Sequence, residues 1–166
     1  MLLKGAEEGI VFIVEHLVKL NTSLAGHMQM TPLHLAAENG HSIIVKMLLE
    51  AGAGTEIKNP QGETPLLLAT RYNHLSVCKI LLSCGANVNV SDHRKNTALH
   101  YAAMLGYLSM VQLFVMYGAD MTAVNDNGRS PLDEAERHSE IYVTRWLQME
   151  LTASNISQKP GITDVS

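Results

Sequence analysis

Histidine and cysteine are the side chains of this sequence best suited to bind a metal ion or to act as nucleophiles. The chain has eight histidines and two cysteines, Cys78 and Cys84. No pair of histidines shows the His-x-x-x-His spacing of a zinc-binding helix, and neither cysteine has a partner at zinc-site spacing. A disulfide is not expected either, because six positions along one helix do not place two side chains together. The sequence therefore predicts no metal site.

Acidic residues are the second set that could serve in catalysis. Asp133, Glu134 and Glu136 form such a group, but on a helix they are better interpreted as the solvent-exposed face of a terminal repeat. The sequence contains no phosphate-binding glycine loop, no dinucleotide-binding fingerprint and no Gly-x-Ser-x-Gly nucleophile motif. Burial in a helix core is the expected role of Cys78. We predict a protein that is not an enzyme and needs no cofactor.

A repeat of 33 residues determines where all of these side chains lie. Thr31-Pro32-Leu33-His34 recurs in related form at positions 64, 97 and 130, and Gly52-Ala53 recurs at 85 and 118. The leading Thr or Ser can cap a helix, and proline fits the first helical position. A residue suited to a left-handed turn ends this helix in each copy, at Gly40, Asn73, Gly106 and Ser139. The predicted unit is helix, turn, helix and an extended loop with a tight turn.

The Thr-Pro-Leu-His start and the period of 33 resemble the ankyrin repeat, from residue 2 to about residue 151. The resemblance implies an all-α solenoid of helix-turn-helix units with β-hairpin-like loops, capped at both ends. It also implies that His34 and His100 form hydrogen bonds between helix starts. Leu67, Ala98 and Lys95 stand where the family uses His, Pro and the hairpin Gly, and we expect each to lower local stability without changing the fold.

The repeat register predicts one ankyrin repeat domain, residues 1–151, and a disordered tail, residues 152–166. The predicted units are an N-terminal capping repeat at 1–26, full repeats at 27–58, 59–91 and 92–124, and a C-terminal capping repeat at 125–151. At the C-terminal end, rows that are apolar in the inner repeats continue as Glu134, Glu136 and Gln148, which is typical of the polar outer face of a cap. The alternative to an N-terminal capping repeat is that further residues precede residue 1, because the first repeat starts without its entry hairpin.

Composition and charge narrow the classes of function. The formal net charge of −4 gives no general attraction to nucleic acid. No stretch approaches the roughly 20 apolar residues that span a bilayer, and we see no signal peptide. Free thiols without a secretory signal indicate a reducing compartment. We predict a cytoplasmic monomer that binds neither nucleic acid nor membranes, and we leave the nucleus open as a second location.

Ankyrin proteins usually bind partners through the hairpin tips and the exposed part of the first helix. Carried onto this chain, the predicted partner-binding residues are Glu38, Asn39, Glu63, Arg71, Tyr72, Arg94, Met104, Leu105 and Arg129. The central patch of Tyr72, Met104 and Leu105 could hold an apolar side chain of the partner. Arg71, Arg94 and Arg129 beside it favour an acidic or phosphorylated peptide, or an extended segment. The alternatives are ordinary surface residues, or packing of Met104 and Leu105 between helices.

The predicted function is a protein–protein interaction module, acting as an adaptor, scaffold or inhibitor. The alternative is a fragment or isoform of a larger multidomain ankyrin protein of the channel, kinase or death-domain type. The resemblance also marks Asn89, at the end of Gly85-Ala86-Asn87-Val88-Asn89, as a candidate for hydroxylation by an asparaginyl hydroxylase. The alternative for Asn89 is that it only stabilises its loop.

Overall fold

Eight helices follow one another in residues 30–157, the part of the chain that the computed structural model describes. The helices are α1 Pro32–Glu38, α2 Ser42–Glu50, α3 Pro65–Arg71, α4 Leu75–Ser83, α5 Ala98–Met104, α6 Leu108–Met116, α7 Pro131–Arg137 and α8 Ile141–Ser157. Within this range the extended structure is limited to an isolated antiparallel bridge between Ser91 and Thr97. The all-α solenoid prediction is confirmed. The predicted N-terminal capping repeat, 1–26, lies outside the described residues.

The odd-numbered helices all start in the same way. The Thr31 hydroxyl oxygen accepts a hydrogen bond from the His34 amide at 3.2 Å, and Thr64, Thr97 and Ser130 cap their helices likewise. Each of these hydroxyls satisfies one of the free amides of the first turn, a contribution of about 1 kcal/mol. The capping role predicted from the repeated Thr or Ser is confirmed.

Left-handed residues join the two helices of each pair, as predicted. Asn73 and Ser139 have φ angles of +62° and +60°, close to those of the glycines at the same repeat position. Asparagine tolerates this conformation, whereas Ser139 adopts it at a cost of about 1 kcal/mol. The tight reversal places the second helix of each pair antiparallel to the first.

The core lies between the layer of first helices and the layer of second helices. Its largest fully buried side chain is Phe114, and small residues such as Ala37 and Ala103 let neighbouring helices approach closely. Each first helix packs on the first helix of the next pair, and each second helix on the next second helix. Cys78 is fully buried in this core, as expected, and burial raises the pKa of its thiol to about 12.

The C-terminal pair departs from prediction in two ways. α8 continues to Ser157, so residues 152–157 are helical where the sequence predicted the start of a disordered tail; residues 158–166 lie outside the described range. Glu134 was assigned to the solvated face of the cap, but it is only 5 % exposed. Asp133, Glu136 and Gln148 are exposed, as a polar outer face requires.

Candidate functional site

A groove of about 680 Å³ lies where the ends of α3 and α5 meet two of the hairpin loops. The residues that line it are Gln61, Glu63, Arg71, Asp92, His93, Arg94, Tyr101, Met104 and Leu105. Loop residues form one wall and helix residues the other. The repeat therefore places hairpin tips and first-helix ends on one concave surface.

An Asn or Asp side chain organises each of the three hairpin loops between the described helix pairs. Asn59, Asp92 and Asn125 occur 33 residues apart, and all three are buried. In the middle loop, Oδ1 of Asp92 accepts hydrogen bonds from the amides of Arg94 and Asn96, at 2.8 and 2.9 Å. Equivalent pairs of bonds form in the other two loops. The backbone that presents the groove's tip residues is therefore fixed.

The other polar atom of each of these side chains meets a partner of matching chemistry. The three hydrogen bonds run from Asn59 Nδ2 to Glu63 Oε2 at 2.9 Å, from Tyr101 Oη to Asp92 Oδ2 at 2.5 Å, and from Asn125 Nδ2 to Glu134 Oε1 at 2.9 Å. An amide thus stands wherever the partner is a carboxylate, and a carboxylate stands where the partner is a hydroxyl. This third bond explains the burial of Glu134, because the amide of Asn125 compensates for its loss of water.

Arg71 projects into the groove in a fixed position. Its guanidinium forms a hydrogen-bonded ion pair with Glu63 and lies 5.9 and 5.7 Å from the ring centroids of Tyr72 and Tyr101. Burial alone would lower the pKa of Arg71, but the hydrogen bond and charge of Glu63 raise it above its ordinary value. The side chain is still 40 % exposed. The groove therefore contains a permanent cation that solvent, or a partner, can reach.

Besides the hairpin-tip residues and the predicted helix residues, Asp92 and Tyr101 line the groove, and the sequence did not indicate either of them as part of the binding surface. Tyr101 occupies the repeat position of Leu35 and Leu68, but it is half-buried and its hydroxyl reaches Asp92 in the loop. Burial, together with the hydrogen bond and charge of Asp92, raises the pKa of Tyr101 above its ordinary value. The available signal was a ring with a polar tip at a position that is leucine in the two preceding repeats, 9 residues after a loop aspartate.

The predicted partner-binding residues separate into three groups in the structure. Those that line the groove are Glu63, Arg71, Arg94, Met104 and Leu105. Tyr72 borders the groove through its contact with Arg71 and is 48 % exposed. Glu38, Asn39 and Arg129 do not line it; Asn39 donates to the carbonyl of Leu35 at 2.8 Å, and Arg129 lies 3.8 Å from Glu134.

Glu63 and Leu105 face opposite environments within this surface. Glu63 is 4 % exposed and both of its carboxylate oxygens are bonded, to Arg71 and to Asn59. It therefore positions Arg71 rather than presenting a free carboxylate. Leu105 follows the last residue of α5 and is 38 % exposed, so it is not packed away between helices.

Asn89 joins two consecutive loops outside the groove. Its Nδ2 donates to the carbonyl of Gly118 at 3.0 Å, and its Oδ1 accepts from the amide of Asp120 at 2.8 Å. These bonds give Asn89 a structural role between repeats. Its hydroxylation stays a prediction from the family resemblance.

His34 and His100 connect consecutive repeats, as the resemblance implied. Nδ1 of His100 accepts from the amide of Thr97 at 3.2 Å, and its Nε2 donates to the carbonyl of Arg129 at 3.0 Å. His34 repeats this arrangement with Thr31 and with the carbonyl of Glu63. These partners define the neutral tautomer with its proton on Nε2. Protonation of Nδ1 would break the bond with the capping residue.

The free energy of unfolding is expected to decrease as the pH falls below 6.5. Burial lowers the pKa of both His34 and His100 below their ordinary value of 6.5, so the unfolded chain takes up protons that the folded chain does not. The contribution of the two neutral histidines to the free energy of unfolding is complete above pH 6.5. It is lost as the pH falls from 6.5 to the lowered pKa of the folded state, by up to about 1.4 kcal/mol per pH unit for each histidine. Urea unfolding over this pH range measures the slope.

His100→Leu provides the control, because Leu67 already occupies the same repeat position in the chain. The variant is expected to be less stable than the wild type at neutral pH, but its free energy of unfolding should decrease less steeply as the pH falls. Equal pH slopes for the variant and the wild type would contradict the assignment of the titration to His100.

Together, the stacked helix pairs, the capped helix starts and the hairpin loops define a helical-repeat solenoid with a concave groove. The family model for ankyrin repeats (3 copies) matches residues 2–92, and the model for ankyrin repeats (many copies) matches residues 81–135. The chain belongs to the ankyrin repeat family. Ankyrin repeats generally act as protein–protein interaction modules. A search of curated proteins finds no significant match.

Two further findings concern ligands and membranes. Across residues 30–157, no cluster of three or more His, Cys, Asp or Glu side chains is arranged to hold a metal ion. Among the helices of that same range, none combines the length and the apolar character that crossing a membrane requires.

Proposed function

We propose that this chain is a non-enzymatic interaction module, an adaptor, scaffold or inhibitor, which binds a partner protein through the groove and the hairpin tips beside it. The observation that carries the proposal is Leu105, which is exposed beside the half-buried Met104 on a concave surface whose acidic residues are bonded within the chain. An apolar side chain in such a place gains free energy when a partner covers it.

Rigidity of the surrounding residues supports a binding role. The backbone of both loops that line the groove is held by the side chains of Asn59 and Asp92, and Arg71 is held by an ion pair and two aromatic rings. A partner that docks here needs to order few side chains, which reduces the entropic penalty of association.

The carboxylates of the groove support binding over catalysis. Glu63 is bonded to Arg71 and Asn59, while Asp92 is bonded to Tyr101 and to two loop amides. Both acids are thus engaged in holding the groove together. Cys78 and Cys84 are free thiols, which supports the proposed cytoplasmic or nuclear location.

Affinity capture from cell extract with matched variants tests the proposal. Leu105→Glu places a charge in the groove, whereas Met116→Glu makes the same change at a side chain that is 74 % exposed on α6, outside the groove. Proteins that bind through the groove are expected to be retained by the wild type and by Met116→Glu, and lost with Leu105→Glu. Circular dichroism should show the same helicity for all three chains.

Retention of the same proteins by all three chains would overturn the proposal that the groove is the binding surface. Loss with both variants would attribute the effect to added charge and would contradict the proposal as well.

A further inference from the structure

We infer that the groove recognises an extended peptide segment through a side-chain carboxylate that pairs with Arg71, next to an apolar side chain of the peptide on Met104 and Leu105. This inference rests on the proposed function of the groove. It adds the chemistry of the partner and the residue that anchors it.

Both acidic groups of the groove are buried, and every one of their carboxylate oxygens is already bonded within the chain. Glu63 Oε1 pairs with Arg71 and Oε2 accepts from Asn59. Oδ1 of Asp92 accepts from two backbone amides, and Oδ2 accepts from Tyr101. Each of the four carboxylate oxygens is therefore already bonded within the chain.

The cationic groups, in contrast, have donors to spare. A guanidinium carries five N–H groups, and Arg71 uses only Nη1, in its bond to Glu63. The guanidinium of Arg94, at the hairpin tip, forms no hydrogen bond or ion pair with any side chain in residues 30–157. The free polar atoms of these two side chains are thus positively charged donors, which are complementary to an anion.

Arg71 is the better anchor of the two arginines. The ion pair with Glu63 and the rings of Tyr72 and Tyr101 restrict its rotamers before any partner arrives, so little side-chain entropy is lost when it binds. Glu63 is then a positioning residue for Arg71. Arg129, which the sequence also placed on this surface, lies 3.8 Å from the buried carboxylate of Glu134 and outside the groove.

The charge around Arg71 favours a carboxylate over a phosphate. Glu63 bonds to Arg71, and Asp92 is bonded to Tyr101, whose ring lies against the same guanidinium. These two fixed negative charges repel any incoming anion, and they repel a phosphate of nearly two charges more than a carboxylate of one. A single carboxylate also matches the planar edge of a guanidinium in a bidentate pair.

A library of random peptides displayed on phage, selected against the full chain, tests this inference. We expect the selected peptides to share an Asp or Glu close to a Leu, Ile, Met or Phe. Replacing that acid by its amide in a synthetic peptide is expected to weaken binding to the wild type about tenfold, a typical value for a charged hydrogen-bonded pair.

The matched protein variants are Arg71→Gln in the groove and Arg137→Gln at the exposed end of α7. With Arg71→Gln the acid and amide peptides should bind equally weakly, whereas with Arg137→Gln the tenfold difference should remain. Because Arg71→Gln leaves the Glu63 carboxylate without its ion pair, the double variant Glu63→Gln/Arg71→Gln is measured beside it and should also lose the difference.

The outcomes separate this inference from the proposed function. Two outcomes would overturn the carboxylate anchor and leave the groove as a binding surface. In the first, Leu105→Gln weakens peptide binding but the peptides show no preference for an acid. In the second, the preference for an acid persists with Arg71→Gln. Tighter binding after exchange of the acid for phosphoserine would overturn the carboxylate in favour of a phosphate. Failure to select any peptide, or peptides indifferent to both Leu105→Gln and Arg71→Gln, would overturn the proposed groove and this inference together.

Discussion

Asn125→Asp is expected to lower the free energy of unfolding by about 3 kcal/mol at neutral pH, because it places an unpaired charge beside another in a buried site. The amide nitrogen of Asn125 donates to Oε1 of Glu134 and to Oδ1 of Asn96, both at 2.9 Å. Asn125 and Glu134 are each 5 % exposed. The substitution replaces a donor by an acceptor and sets two carboxylates against each other.

The difference in free energy of unfolding between Asn125→Asp and the wild type, the deficit, should decrease in mild acid. This pH dependence distinguishes charge repulsion from lost packing. The pKa of the new carboxylate pair is raised by the proximity of two like charges, so the deficit is complete above that pKa and decreases as the pH falls through it. Urea unfolding of the variant and the wild type, compared at each pH, measures the difference and removes the contribution of the histidines.

Asp92→Asn is the matched control at the same repeat position. There the partner is the hydroxyl of Tyr101, which can accept a hydrogen bond as well as donate one, so the expected loss is only about 1 kcal/mol. Equal losses for the two variants, independent of pH, would contradict the explanation from matching donors and acceptors.

Gly62→Ala is expected to destabilise the protein by about 3 kcal/mol, whereas Gly128→Ala at the same place in the last loop should cost only about 1 kcal/mol. Both glycines have positive φ angles, +79° and +70°, so both variants carry the same conformational strain. A Cβ at Gly62, however, would lie 2.8 Å from the backbone nitrogen of His93 in the next loop and closer still to its ring, while at Gly128 it would meet nothing within 4 Å.

The difference between the two glycine variants isolates the close contact between consecutive loops. The ring of His93 can rotate away, but its backbone nitrogen is held by a hydrogen bond of 3.3 Å to the carbonyl of Gln61. Thermal unfolding of both variants measures the effect. Similar losses at the two positions would show that the stacked loops can separate at little cost.

Local features of the fold could be predicted from the sequence because the repeat shows each of them several times. The hydroxyl caps, the left-handed turns and the burial of Cys78 each depend on a few neighbouring residues at a fixed place in the register. The inter-repeat bonds of His34 and His100 were implied by family resemblance, and the structure confirms them.

What the sequence did not reveal depends on pairs of side chains whose residue types change from one repeat to the next. Glu134 is polar in a row that is otherwise apolar, which is typical of a cap, yet it is buried because Asn125, 9 residues earlier, can donate to it. Tyr101 reaches the groove because its hydroxyl finds Asp92 in the loop. The two pairs occupy the same repeat positions, but their residue types differ, so the match of donor to acceptor is not repeated in the sequence.

The length of α8 could not be predicted for a different reason. Residues 152–157 are rich in Thr, Ser and Asn, which usually favour turns. In the structure the hydroxyls of Thr152 and Ser154 donate instead to carbonyls one turn earlier, at 2.7 and 2.9 Å. The helix thus continues through residues whose composition alone indicated its end.

The pairwise stacking of neighbouring helices also determines how this chain can acquire its structure. The extensive contacts among the described helices all join helices of the same pair or of consecutive pairs, so almost every contact closes a loop no longer than about one repeat. Closing such short loops is entropically cheap, which favours rapid folding. Nucleation can begin at any adjacent repeats and spread outward, while fraying starts at the ends of the array.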